Sequence, residues 1–465
     1  MKKKIIIHPC FASKTASNHE RGCNMINLDK CREIRIKRAN TDWWINEKSI
    51  VAENGKTYIA YMTDMGEIHV KQIDAKCSRA ESRDITVCRL NCFYSDEHNS
   101  PSICVLQDGR IVVAYTGHAS TNTVRYRITE KPYNIFTFGP EIVLKYEKSV
   151  TYTQLFENIY KRELWLFTRV DAVTWEFRYS KDYIHWSEPC CFLASDAGGL
   201  FYIDIRKQLV PSRYGILERW FFALYGHPRI SKDHTIHAGF FDAEGWLVSM
   251  DGKRLNVNLY GNAKTEDGTP ISGKINLDDL SVVYKSPEKT TVRLLEVAPT
   301  VPLRIGYATF IMDRPETINY YIASWKGDAW VISKPIAQGG EFLSKQPQMD
   351  GSQTYVGGMA CYYGVGEDGF HPKHYGICDT NRVFIARADA DNRLLESYIT
   401  HDNGATYMLE QVVKAIPRKE HRKIWRPVVP IYAQDNLQVY WHEGTYSAHT
   451  GGWHCDAVML VEYDD

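Results

Sequence analysis

Two histidines twenty residues apart are the first side chains in this chain that could do chemistry together. His98 lies in Asp96-Glu97-His98-Asn99-Ser100-Pro101, and His118 closes Tyr115-Thr116-Gly117-His118. Between them run Ile103-Cys104-Val105-Leu106, the turn Gln107-Asp108-Gly109-Arg110 and Ile111-Val112-Val113-Ala114-Tyr115. An apolar strand, a glycine-containing turn and a second apolar strand make a hairpin. A hairpin returns the chain to its starting level, so both imidazoles should emerge at one end of a sheet. Imidazole changes charge near neutral pH and serves as acid, base or hydrogen-bond donor. Tyr225-Gly226-His227 ends another apolar strand as Tyr115-Thr116-Gly117-His118 ends this one, so Tyr225 and His227 are expected to line the same pocket.

A second cluster reads differently. Cys361, His371, His374 and Cys378 follow the spacing C-x9-H-x2-H-x3-C. Two thiolates and two imidazoles suit tetrahedral zinc, and four protein ligands leave no open position. The expectation is therefore a structural zinc that pins a long loop, the competing reading being a polar loop with two incidental cysteines.

The elements that must hold these groups repeat one gesture: apolar strand, turn, apolar strand ending near Tyr or Trp. Copies begin at Val51, Ile103, Leu155, Leu209, Pro302, Met359 and Val428. Long helical patterns are nearly absent. Repeats that are each a small antiparallel sheet predict an all-β chain, a seven-bladed β-propeller of four-stranded antiparallel blades. Residues 41–465 form that single domain, residues 1–40 form an N-terminal segment that contributes to blade closure, and 251–288 is a polar insert outside the blades. Ser180-Lys181-Asp182-Tyr183-Ile184-His185-Trp186 and Thr400-His401-Asp402-Asn403-Gly404-Ala405-Thr406-Tyr407 look like Asp-box turns, which mark repeat architecture rather than catalysis.

Composition narrows the partners. Formal net charge is zero with no dominant basic cluster, which argues against nucleic acid. No apolar run reaches the roughly 18 residues of a membrane span. The start Met1-Lys2-Lys3-Lys4-Ile5-Ile6-Ile7 is too short in apolar residues for a secretory leader, so the chain as written reads as cytoplasmic, or as secreted or periplasmic if a leader is missing. Twelve scattered cysteines show no compact disulfide framework and read as reduced thiols.

Trp43-Trp44, the Asp96–Pro101 segment, Tyr152 with Arg169, Tyr321-Ile322-Ala323-Ser324-Trp325-Lys326-Gly327 and Arg426-Pro427-Val428-Val429-Pro430 together resemble BNR-4 repeat proteins. More narrowly, the layout is similar to the seven-bladed propeller polysaccharide lyases typified by ulvan lyases. The resemblance runs from Trp43 to the C-terminus. It implies β-elimination at a uronate, with no organic cofactor and an anionic uronate-containing polysaccharide or oligosaccharide as partner. Carried over residue by residue, it implies His98, His118, Tyr152 and Arg169 as catalytic residues. Two departures stand out: Thr153-Gln154-Leu155 follows the tyrosine where a Pro-Asn pair is frequent, and Phe201–Arg206 matches loosely.

Elimination removes the proton α to the carboxylate and expels the C4 oxygen, so charge builds on the carboxylate. A guanidinium such as Arg169 can grip that carboxylate with two hydrogen bonds. His98 would share the task, with Asn99 a further polar substrate contact. Tyr152 would return a proton to the leaving group, and either Tyr152 as phenolate or His118 would take the C5 proton. The rivals are a glycoside hydrolase, a terminal rhamnose–glucuronate lyase and a non-catalytic sugar-binding propeller. For the hydrolase, Asp96 and Glu97 are the one carboxylate pair near the histidines.

Overall fold

The computed structural model describes residues 26–462, apart from 42–44, 46, 75–81, 90–95, 195–199, 213–214, 228–233, 262–272, 301, 344–354, 363–380, 434–436 and 446–453. Among the described residues the fold is all-β. Its helical elements are three-residue turns such as Glu97–Asn99 and Ile135–Thr137, and no helix is long and apolar enough to cross a membrane.

Strands form where β-branched and aromatic residues run together, and the second strands of the sheets are rich in them. Ile111–Tyr115 and Glu163–Val170 are buried at every position. A strand buried on both faces needs cover from sheets on either side, which is the arrangement of sheets packed face to face around an axis. The packing is aromatic-rich: Trp165 and Trp220, on different sheets, meet at 4.2 Å between ring centroids. Phe167 lies against Phe192 and Phe241. Truncating one such ring to alanine costs about 3–5 kcal/mol.

The innermost strands make a closed ring. Ser49–Val51 touches Ser102–Val105, which touches Ile142–Asn158. Gln154 bonds the backbone of Ile203 and Ile205, joining Ile142–Asn158 to Phe201–Ser212. Contacts continue through Thr291–Ala298, Gly358–Cys361 and Lys423–Val428, and Ile431 bridges back to Ile50. The two chain ends share one sheet: Cys31–Ile36 pairs antiparallel with His454–Glu462.

The sheets are five discrete ones of four to six strands and one continuous sheet of seven, rather than seven separate four-stranded blades. The physical reason is the strand Ile142–Asn158, seventeen residues without Gly or Pro. Its first part pairs with Thr121–Ile128 and its last part with Glu163–Val170. It bends instead of breaking: the register shifts between Thr151 and Gln154, and Tyr152 sits there at φ +65°. The polar stretch 251–288 is not wholly outside the sheets either. Arg254–Asn258 pairs with Trp246–Val248, and Ser281–Lys285 pairs with Thr235–Asp242, because apolar Val257 and Val283 are buried there.

Both Asp-box segments fold as tight turns. Asp182 accepts from the backbone of Ile184 and His185, and Asp402 from that of Thr406. Trp186 packs edge-on against Tyr126 and donates to its hydroxyl at 2.8 Å.

Candidate active site

The hairpin Ser102–Val105 with Ile111–Tyr115 carries His98 and His118 to one end of the seven-stranded sheet. Asp96 precedes the helical turn Glu97–Asn99 and accepts from the His98 backbone N–H at 3.0 Å, the capping bond that holds the turn. The same carboxylate accepts from both rings. Oδ1 takes His98 Nδ1 and Oδ2 takes His118 Nδ1 at 2.8 Å. A carboxylate only accepts, so both Nδ1 atoms carry protons and the chemistry of each ring is left to Nε2. The rings stack at 4.0 Å between centroids and 11° between planes. Asn99 is buried, and its Oδ1 accepts from the His118 backbone N–H at 2.6 Å. Its role in the structure is to hold the His118 segment against the turn. The His98 side chain is 3% exposed and that of His118 25%, so His118 is the ring more open to solvent.

Tyr152 and Arg169 come from the bent strand and its partner Glu163–Val170. Positive φ at a non-glycine residue costs on the order of 1–3 kcal/mol and persists where the surroundings dictate it. At Tyr152 it turns the phenol beside the imidazoles, with its ring centroid 6.1 Å from His98 and 6.3 Å from His118. The Thr168 hydroxyl donates to the Tyr152 carbonyl at 2.7 Å and secures the bulge. Burial pushes the Tyr152 phenol well above its ordinary range, and Arg169 opposes that shift without cancelling it.

Arg169 is 4% exposed. Its guanidinium carbon lies 4.6 Å from the Tyr152 ring centroid and 5.6 Å from that of Tyr202. Among the described residues its Nε and Nη1 meet no hydrogen-bond partner. Aromatic faces return about 0.5–2 kcal/mol to a cation. Removing a cation from water costs several kcal/mol unless an anion or hydrogen bonds replace the water.

The structure thus brings His98, His118, Tyr152 and Arg169 together. Tyr225 and His227 lie one ring further on: Tyr202 touches Tyr152 at 6.3 Å, Tyr225 at 5.6 Å and His227 at 5.3 Å. Sequence reasoning passed over Tyr202 and the double grip of Asp96. Tyr202 stands near the start of the innermost strand Phe201–Ser212, as Tyr152 stands near the start of the part of its strand that pairs with Glu163–Val170, and that position was the available signal.

Asp96, His98 and His118 place ligand atoms within 4.8 Å of one another, a set that could hold a metal ion. Their mutual bonds already account for the arrangement. For the zinc expectation, His371, His374 and Cys378 lie outside the described residues. Cys361 ends the strand Gly358–Cys361, buried, with its thiol pushed up by burial and by Glu296.

The repeat family described as BNR repeat-containing family member matches residues 56–186, which include all four gathered residues. No curated protein matches the chain. Among solved structures, an ulvan lyase described as a new family of polysaccharide lyase superposes with a TM-score of 0.61 at 13% identity. The match covers 91% of this chain and 95% of that one. A second structure of that lyase, bound to -[GlcA(1-4)Rha3S]-, matches equally. The polysaccharide lyase Uly1 matches with a TM-score of 0.53 at 11% identity, over 93% of this chain and 99% of that one. The chain shares the propeller fold of these lyases.

Proposed function

We propose that this protein is a seven-bladed propeller lyase that cleaves a uronate-containing, ulvan-like glycan by β-elimination. The observation that carries the reading is Arg169: a buried guanidinium whose Nε and Nη1 meet no partner among the described residues, beside a buried phenol and two imidazoles gripped by one carboxylate. The count of seven is supported by the strand Ile142–Asn158, which serves one four-stranded unit with its first part and the next with its last.

In this reading Arg169 binds the uronate carboxylate, and His98, with its second proton balanced by Asp96, donates to it through Nε2. The His118 Nε2 lone pair takes the C5 proton. The electron pair forms the C4–C5 double bond, the C4–O bond breaks, and Tyr152 gives its proton to the departing oxygen. Burial keeps Tyr152 a phenol, which suits the acid and not the base. The hydrolase rival is disfavoured, since both Asp96 oxygens are taken by imidazoles and Glu97 is buried. A zinc held by Cys361, His371, His374 and Cys378 is part of the proposal. It would draw the proton from the buried Cys361 thiol, and no organic cofactor is needed.

The test is ultraviolet absorbance of the unsaturated uronate released from ulvan and other polyuronates. Wild type should produce it, and His98→Ala and Tyr152→Phe should abolish it with Tm preserved. Both variants keeping activity would refute the roles.

A further inference from the structure

Arg293 and Arg426 are almost fully buried, 2% and 4% exposed, and come from two different innermost strands, neither of them in the sheet of Arg169. Arg293 holds its guanidinium carbon 4.3 Å above the Tyr355 ring. The strand Thr291–Ala298 that carries Arg293 packs against Phe201–Ser212 and Gly215–Gly226, the strands of Tyr202 and Tyr225. Tyr225 touches Tyr202, and Tyr202 touches Tyr152 and the Arg169 guanidinium. Arg293 over Tyr355 and Arg426 on Gly357 therefore meet one short segment, 355–358, next to the strands that carry Tyr202 and Tyr225.

Arg426 is held there by the device that holds Tyr152. The strand Lys423–Val428 shifts register between Trp425 and Val428, and Arg426 sits in the shift at φ +46°. Its N–H donates to the Gly357 carbonyl at 2.9 Å. Gly358 makes room: a Cβ there would stand 2.9 Å from the Arg426 Cα. A strained, non-glycine cation packed against a glycine is a poor choice for stability alone. Such strain concentrates where a side chain must be aimed.

We propose that Arg293 and Arg426 form a second anion-binding subsite, beyond Tyr225, that takes a further acidic substituent of the same glycan. The chemistry is an oxyanion able to accept from guanidinium N–H groups, either a sulfate ester or a second uronate carboxylate. The inference rests on the lyase reading for the site around Arg169 but has its own readout.

The experiment measures binding by calorimetry, so it does not depend on turnover. Wild type, Arg293→Gln and Arg426→Gln are titrated with three probes: a sulfated uronate polysaccharide, the same polymer chemically desulfated, and an unsulfated polymer of uronate alone. Wild type should prefer one of the acid-rich probes to the desulfated polymer. Each variant should reduce that preference ratio by about tenfold to a hundredfold, the worth of one lost charge-assisted hydrogen bond. Preference for the sulfated polymer identifies a sulfate ester, and preference for the polyuronate a second carboxylate. A structural role would weaken all three probes alike and leave the ratio standing, which overturns the proposal. So does a wild type with no preference. Arg293 has no positive φ, so Arg293→Gln decides the matter if Arg426→Gln lowers Tm. If wild type binds with this preference yet releases no unsaturated product, the lyase reading fails and the subsite stands.

Discussion

Asp96→Asn tests how the site prepares its imidazoles. The carboxylate accepts from His98 Nδ1 and from His118 Nδ1 at 2.8 Å, one oxygen for each ring. An amide offers one oxygen and one NH2 group, so only one ring can keep its bond. The other must move its proton to Nε2, and the negative charge that favours a doubly protonated His98 is gone. The lost charge-assisted bond is worth about 1.5–3 kcal/mol, or about 10–10² in kcat. Glu97 Oε1, 3.7 Å from His98 Nδ1, can recover part of the charge and favours the lower half of that range. Asp96 does not touch the substrate in this account, so KM should change little. The assay is initial-rate ultraviolet absorbance across substrate concentration, with Tm as the check on folding. A folded Asp96→Asn variant within about threefold of wild-type kcat would refute the clamp.

Four further outcomes follow from the same geometry. The raised Tyr152 phenol keeps its proton through pH 10, so kcat/KM should not climb tenfold per pH unit between pH 8 and 10; such a climb would make the phenolate the base. Gly358→Ala must place a Cβ 2.9 Å from the Arg426 Cα at φ +141°, and it should lower Tm in a thermal melt; an unchanged Tm would show that the strand moves freely. The Thr406 hydroxyl and backbone N–H hold the Asp402 carboxyl down at about 2. A folded pKa below the unfolded one stabilises above the unfolded value and loses that effect as pH falls, so Asp402→Ala should lower Tm at neutral pH by a margin that shrinks towards pH 2. Elemental analysis should find one zinc per chain, lost in Cys361→Ser together with several degrees of Tm, and a metal-free, equally stable wild type would end the zinc proposal.

Much of the fold was legible because a strand–turn–strand pattern survives in composition alone. The hairpin Ile103–Tyr115 was readable from its two apolar runs and the turn at Asp108-Gly109, and with it the meeting of His98 and His118. The continuous sheet was hidden because Ile142–Asn158 turns a corner without Gly or Pro, through φ at Tyr152, a conformation that residue type does not signal. A further task of Asn99 was hidden for a similar reason: its side-chain oxygen is used by the His118 backbone, a contact that depends on the hairpin bringing the two segments together. Arg426 stood in a quoted motif without a task, since its position depends on a neighbouring strand at Gly357 and Gly358 that lies some seventy residues away in sequence.

Digestion in oxygen-18 water tests the chemistry itself most directly. Elimination breaks the C4–O bond without adding water, so with new reducing ends trapped by borohydride as they form the account predicts fragments free of oxygen-18 at the cleaved bond and one unsaturated terminal uronate per cleavage. Incorporation of one labelled oxygen per cleavage, with saturated ends, would contradict it.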